Sequence, residues 1–190
     1  MKFPKAYVIA SVFGAWVILM GFTTLVVLRI FFFNYNKIPQ DGMYPGMPAG
    51  TRFVTRRNPY HNIHDVKRGD VVVFTRETNN RTYKYIWRVV GLPGDLVEVS
   101  NEAASLNGHA LKHETVRKEG QYLIVREWNG DVSYEVAYSQ TLDRAEPPPI
   151  ASMKVPRDHL FLLGDNRYMA EDSTFIGPVP FASIVEKKIF

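Results

Sequence analysis

The chain begins with one unbroken apolar run and then changes period. Tyr7 to Leu28 carries 22 residues without a charge. At about 1.5 Å of rise per residue that is roughly 33 Å of helix, enough to cross the hydrocarbon core of a bilayer. A cleaved export signal has a shorter apolar region, about 7–15 residues, followed by a small-x-small site. Here the run ends instead in Arg29-Ile30-Phe31-Phe32-Phe33. The pattern predicts a cytoplasmic N-terminus over 1–6 and an uncleaved transmembrane anchor over 7–33. Lys2, Lys5 and the terminal amine favour a cytoplasmic N-terminus. The basic residues after the helix pull the other way, although a large folded domain is still translocated. The expected location is a single-pass position in the cell or inner membrane, with residues 34–190 on the extracytoplasmic side. The aromatic run Phe31 to Tyr35 is expected at the far interface.

From Lys37 onward the apolar positions recur in short alternating stretches, with no long helical period. Gly69 to Phe74 reads as a buried strand. Tyr83 to Val90 alternates, with Tyr83, Tyr85, Trp87 and Val89 on one face and Lys84, Ile86 and Arg88 on the other. Leu96–Val99, Leu160–Leu163, Phe175–Val179 and Ile184–Phe190 read as further strands. Tyr122–Trp128 and Val132–Tyr138 flank Asn129-Gly130-Asp131, a hairpin signal. Many short strands punctuated by Gly and Pro predict a mainly β domain over 34–190, barrel-like or sandwiched. The stretches 101–120 and 143–154 read as loop, so that about 101–154 forms a loop-rich elaboration. Asn80-Arg81-Thr82 matches a glycosylation sequon, a three-residue pattern that arises by chance.

Composition narrows the chemistry. The chain has 190 residues, 46% hydrophobic and 22% charged, which suits one folded domain behind the leader. A formal charge of +4 without a basic, aromatic-interleaved stripe argues against nucleic acid as a partner. Attraction to anionic lipid headgroups accounts for Arg29, Lys37, Arg52, Arg56 and Arg57 near the membrane end. The absence of cysteine excludes disulfides, thiol nucleophiles and thiolate metal sites. Of five histidines only His61 and His64 are close, without zinc-ligand company, so no metal or other cofactor is expected.

Three separated stretches resemble one family, in that family's order after an anchor. They are Ile38-Pro39-Gln40-Asp41-Gly42-Met43-Tyr44-Pro45-Gly46-Met47; then Lys67 to Phe74 running into Tyr85-Ile86-Trp87-Arg88 and the rest of RVVGLPGD, Arg88 to Asp95; and Gly164-Asp165-Asn166-Arg167 with Asp172-Ser173, Gly177 and Val179-Pro180. Together they resemble type I signal peptidases (peptidase S26), the serine–lysine membrane proteases that trim signal peptides. The first stretch of the family reads close to I-P-S-x-S-M-x-P-T-L, the third close to G-D-N-R-x-x-S-x-D-S-R-x-x-G.

The resemblance implies a signal-peptidase-like β-barrel or sandwich, and it locates the departures at the chemistry. Gly42 stands where the family has its serine nucleophile, and Trp87 where it has its lysine. Gln40 replaces a small hydroxyl residue that helps bind the oxyanion, and Gly46 replaces a threonine. Ala170 stands for a serine that hydrogen-bonds the lysine, and Thr174 for an arginine that pairs with the acid at Asp172. A hydroxyl nucleophile needs a general base of lowered pKa; glycine and tryptophan supply neither, so no catalytic residue is expected. Lys84 lies an odd number of residues from Trp87 and points to the opposite strand face. Ser173 lies outside the attacking position, and a water-activating pair of Asp41 with Asp172 is the remaining substitute. Blander readings coexist: Gly42 relaxes a turn, Trp87 belongs to an ordinary aromatic stripe, and Met43, Tyr44 and Met47 are either core or membrane-dipping. Asp165, Asn166 and Arg167 are expected to tie a turn together.

The reading that follows is a non-catalytic, membrane-anchored relative of signal peptidases that binds an exported peptide or protein. The peptide-binding groove is expected along Asp41, Met43, Tyr44, Pro45 and Tyr85, since extended peptides bind strand edges through main-chain hydrogen bonds. Membrane lipid and a signal-peptide-like segment are the expected partners. Signal-peptidase-like proteins without the dyad occur in pilus assembly, so resemblance adds pilins or an active signal peptidase. The alternatives are an active peptidase with an unrecognised nucleophile and a purely structural membrane protein.

Overall fold

The computed structural model describes residues 5–100, 103–141 and 152–190. The apolar run forms helix α1, Lys5–Phe32. Within it Ala10–Phe32, 23 residues of mean hydropathy 2.1, is long and apolar enough to span a membrane. The helix passes without a linker into strand β1, Phe33–Lys37, which pairs antiparallel with β2, Arg52–Arg57. Neither strand was legible in the sequence. Only alternate residues of β1 are half-buried, and polar Asn34 and Asn36 occupy those positions.

Next come β3, Val71–Thr78, and β4, Arg81–Gly91, joined by a two-residue turn at Asn79-Asn80 whose φ angles are +52° and +56°. Asparagine tolerates this left-handed backbone, and two such residues in a row favour the hairpin twist. After them follow β5, Leu96–Val99; β6, Ala104–Leu106; β7, His109–Ala110; β8, His113–Glu119; β9, Tyr122–Asn129; β10, Val132–Ser139; and β11, Ser152–Lys154. The chain closes with β12, His159–Leu163; the short helix α2, Ser173–Ile176; β13, Val179–Pro180; and β14, Ile184–Lys188.

The strands form a seven-stranded sheet in the order β1-β2-β14-β3-β4-β12-β13, a three-stranded sheet β10-β9-β8 and a four-stranded sheet β11-β5-β6-β7. The mainly β expectation therefore holds. Three details correct the sequence reading, one being that the stretch 143–154, expected as loop, carries β11 at Ser152–Lys154, held by pairing with β5. The stretch 101–120, expected as loop, carries β6, β7 and β8 among its described residues; β8 is exposed along its whole length and so has no apolar alternation to betray it. Pro147 to Pro149 lie outside the described residues. The strand expected over 175–179 begins instead in helix α2, at Phe175 and Ile176, and is strand only at Val179, because Asp172 caps the helix through Thr174 N and Gly177, at φ +82°, ends it.

Period-2 alternation divides the interior into two cores. On β4 and β12, Trp87, Val89, Leu160 and Leu162 face a core with Met43, Met47, Phe53 and Phe74. Their neighbours Val90, Phe161 and Leu163 face a second core with Val97, Ala104 and Leu106. β12 and the Val89–Gly91 end of β4 are thus covered on two sides, which explains the unbroken apolar run Leu160–Leu163.

Candidate functional site

The loop between β1 and β2 is a folded-back turn held from within. Ile38 N donates to Thr51 O and Gly50 N to Ile38 O, at 3.0 and 2.8 Å, and Met47 N donates to Met43 O at 2.8 Å. The Asp41 carboxylate accepts from Ala49 N at 2.6 Å. Met43 and Met47 plug the first core, which settles them as core residues. Met43 is fully buried and offers no surface to a peptide; its place in the expected groove is corrected accordingly. Tyr44 packs against Tyr122 of β9 with ring centroids 5.0 Å apart, which turns it toward the three-stranded sheet. Asp41 is exposed and Pro45 half-buried.

This loop sets Gly42 directly on Trp87. A β-carbon at Gly42 would stand 2.6 Å from Cζ3 and 2.7 Å from Cη2 of the indole, closer than non-bonded carbons approach. Gly164 completes the seat: a β-carbon there would lie 2.2 Å from the Ala170 β-carbon, 2.7 Å from Gly42 O and 3.2 Å from Trp87 Cζ3. Asn166 N donates to Gly42 O at 3.0 Å, tying the two loops together over β4. The buried Trp87 indole N–H has no hydrogen-bond partner among the described residues.

The other residues singled out in the sequence surround this seat. Ala170 is buried beside Gly164. The Asp172 carboxylate accepts from Gly164 N at 3.0 Å, from Thr174 N at 3.0 Å and from Thr174 Oγ1 at 2.7 Å. Burial raises its pKa above the usual carboxylate value despite those three bonds. Ser173 Oγ is fully buried and accepts from Leu162 N at 2.9 Å. Gln40 is exposed at the rim.

Lys84 points away from Trp87's face. Its ammonium lies 2.7 Å from Glu186 Oε1, beside Asn34, Asn36 and Thr55, which also donate to that carboxylate. Burial alone would raise the Glu186 pKa; the bonds from Lys84, Thr55, Asn34 and Asn36 outweigh it and hold the group at about 2.

Two ion pairs brace the 164–167 turn. Arg88 grips Asp165 with Nε and Nη2 at 2.7 and 2.6 Å and donates to Gly69 O at 2.8 Å. Arg167 Nη2 lies 2.6 Å from Glu127 Oε1, both side chains buried, and the Tyr134 hydroxyl donates to the same oxygen at 2.9 Å. Ala137 N donates to Asp165 O, and Arg167 N to Ala137 O. The sequence pointed to a structural turn at 165–167, but not to β9 and β10 as what it holds.

Among the described residues, Arg81–Trp87 of β4 has no strand partner on the side away from β3, beside the seat. β4 pairs with β12 only at Arg88, Val89 and Gly91, whereas all of Arg81–Arg88 pairs with β3. The unpaired edge borders a cleft of about 70 Å³ lined by Ile38, Pro39, Gln40, Gly42, Tyr85 and Trp87, with Lys84 and Ile86. A second hollow of about 80 Å³ adjoins it and adds Asn36, Lys37, Phe53 and Val73 to the lining. Of the residues expected to form a groove, Tyr85 lines both hollows. Ile38, Pro39 and Ile86 also line them and carried no polar signal that sequence reasoning could use.

An apolar helix long enough to span a membrane thus feeds straight into a β body in which two loops meet over a strand edge. The comparisons name the family. The family model for signal peptidase, peptidase S26, matches residues 9–190, and the chain belongs to that family. It is 31% identical over 189 residues to signal peptidase I of Pseudomonas fluorescens, covering 86% of this chain and 66% of that protein. It is 28% identical over 175 residues to signal peptidase I of Bacillus caldolyticus, covering 92% of this chain and 87% of that one. A crystal structure of a signal peptidase I from Enterococcus faecalis V583 superimposes with a TM-score of 0.39 at 25% identity, covering 66% of this chain and 97% of that one.

Proposed function

We propose that this chain is a non-catalytic member of the signal peptidase family, anchored with its β body outside the membrane, and that it holds an extended exported peptide along the free edge of β4. The contact between Gly42 and the Trp87 indole carries the reading. Where the family's motif has a hydroxyl and an amine, this chain has a hydrogen and a ring that leaves no room for a side chain at position 42.

The substitutes for a lost dyad are occupied elsewhere, which further supports the reading. Lys84 is bound to Glu186, Ser173 is sealed in the core, and all three hydrogen bonds to Asp172 come from its own loop. Asp41 sits at the surface bonded to Ala49 N. Among the described residues, the Arg81–Trp87 edge of β4 has no second strand partner, and an unpaired edge is the requirement for adding a peptide strand. The adjoining hollows of about 70 and 80 Å³ suit small side chains. A pilin or another exported precursor is the class of client, and an active signal peptidase is the class of partner.

The test is incubation of the full chain in detergent with a labelled preprotein, beside an active signal peptidase. No cleavage together with calorimetric or crosslinked binding of the precursor is the expected result. Turnover at the normal signal junction would overturn the non-catalytic reading, and no binding would overturn the peptide-holding one.

A further inference from the structure

We infer that one face of the three-stranded sheet β10-β9-β8 is a docking site for a proline-rich segment of a partner protein, bound as a polyproline II helix. A cleft of about 340 Å³ lies on that face. Ligand sites in proteins run from roughly 300 to 1,000 Å³, so this one suits a few residues of peptide. It shares no lining residue with the hollows beside β4. The inference is therefore independent of whether the chain cleaves a peptide at that edge or holds one there.

Strand register builds the cleft. Thr115 pairs with Val125 and Leu123 with Tyr138, so all three strands send side chains to one face. The buried Val125 and half-buried Leu123 form an apolar floor. The register of β8 shifts between Thr115 and Arg117, and such a bulge sharpens the local twist that hollows a sheet face. Tyr138 and Tyr168 form the wall, edge to face, with ring centroids 5.9 Å apart and planes at 77°. Arg167 Nη1 backs this wall, 3.5 Å from the Tyr138 hydroxyl. His113, Thr115 and Gln140 stand exposed along the rim.

The chemistry of the lining selects the occupant. Among the described residues that line the cleft none is Asp, Glu, Lys or Arg, so neither an anion nor a cation meets a counter-charge there. A sugar ring would press hydroxyls onto Leu123 and Val125, where they would stay unpaired at a cost. Proline suits both parts of the surface. Its ring is apolar, and its nitrogen carries no hydrogen to leave unpaired on the floor. Its carbonyl accepts, and the rim supplies donors in the Gln140 amide, the Thr115 hydroxyl and a ring N–H of His113. The span agrees as well. Two strand spacings of about 4.8 Å carry the cleft roughly 10 Å from β8 to β10. One turn of polyproline II, three residues at about 3.1 Å each, covers nearly that distance. Aromatic-lined grooves favour this helix because it is already stiff before it binds.

The test is fluorescence anisotropy of a labelled oligoproline peptide titrated with the full chain in detergent. Saturable binding is expected, with none by a glycine–serine peptide of equal length. Tyr168→Ala removes one ring of the wall and should weaken binding at least about tenfold. Thr115→Arg crowds the cleft from an exposed position on β8 and should do the same, which decides the matter even where the tyrosine variant folds poorly. No binding, equal binding of the glycine–serine peptide, or unchanged affinity in Thr115→Arg would overturn the inference. Binding of a labelled N-acetylglucosamine tetramer in place of oligoproline would overturn it too. The chain's own Pro147, Pro148 and Pro149 lie outside the described residues. Binding that appears only once all three are alanine would hand the cleft to that run and overturn the partner.

Discussion

Gly42 and Trp87 fit each other: the indole edge lies where any side chain at position 42 would begin, 2.6 Å from an ideal β-carbon. The two residues are thus one structural unit: with the indole in this place, position 42 has room for glycine alone.

That unit is open to measurement by a double-mutant cycle. Gly42→Ser alone should destabilise the chain by about 1–3 kcal/mol, the usual cost of overpacking a core. Trp87→Ala alone should cost about 3–5 kcal/mol through the cavity it leaves. Combined, the serine should cost little more, giving a favourable coupling of about 1–3 kcal/mol in denaturant unfolding. Additive costs would mean that the cost of the serine does not arise from its contact with the indole.

Restoring the family's pair should not restore a peptidase. Gly42→Ser with Trp87→Lys supplies a hydroxyl and an amine, but the buried Ala170 offers the lysine no hydroxyl and Thr174 spends its own on Asp172. We expect preprotein cleavage at least about 10³-fold below an active relative assayed in parallel. Cleavage within about tenfold of that relative would mean that the surrounding shell is intact.

The three-stranded sheet hangs on a buried ion pair. Glu127→Ala leaves the Arg167 guanidinium buried without its carboxylate and should cost about 3–5 kcal/mol. Amide exchange across β9 and β10 should rise more than across β3 and β4. Arg167→Met with Glu127→Leu should recover part of the loss, because no unpaired charge remains.

Acid should loosen the sheet end nearest the anchor through Glu186. Its folded pKa of about 2 lies below the ordinary 4.5, so its contribution is present above about pH 5 and is lost as pH falls toward 2. The linked stabilisation is about 2–3 kcal/mol at neutral pH. Glu186→Gln should start less stable at pH 7 and show a flatter acid limb in thermal unfolding. An unchanged acid limb would place the titrating group elsewhere.

Elements with local cues could be read from residue order alone. The β9–β10 hairpin announced itself through two apolar runs around Asn129-Gly130-Asp131, and the turn falls at Gly130, φ +65°. The alternation of β4 placed Trp87 and Val89 on one face, as found. β1 and β8 escaped notice because their stability comes from pairing with β2 and β9 and not from their own pattern. Helix α2 escaped because an Asp172 cap and four residues are too little signal against an apolar run.

For this protein, residue order determined the long apolar helix, the β class and the family, since each rests on short-range periodicity or on motifs contiguous in the chain. It also determined that positions 42 and 87 hold no hydroxyl and no amine. Only the tertiary structure decided that those two positions touch, that Gly164 and Ala170 complete the seat, and that Lys84 belongs to Glu186. Those facts join residues far apart in the chain, and such contacts depend on strand register and loop closure, which no local pattern encodes.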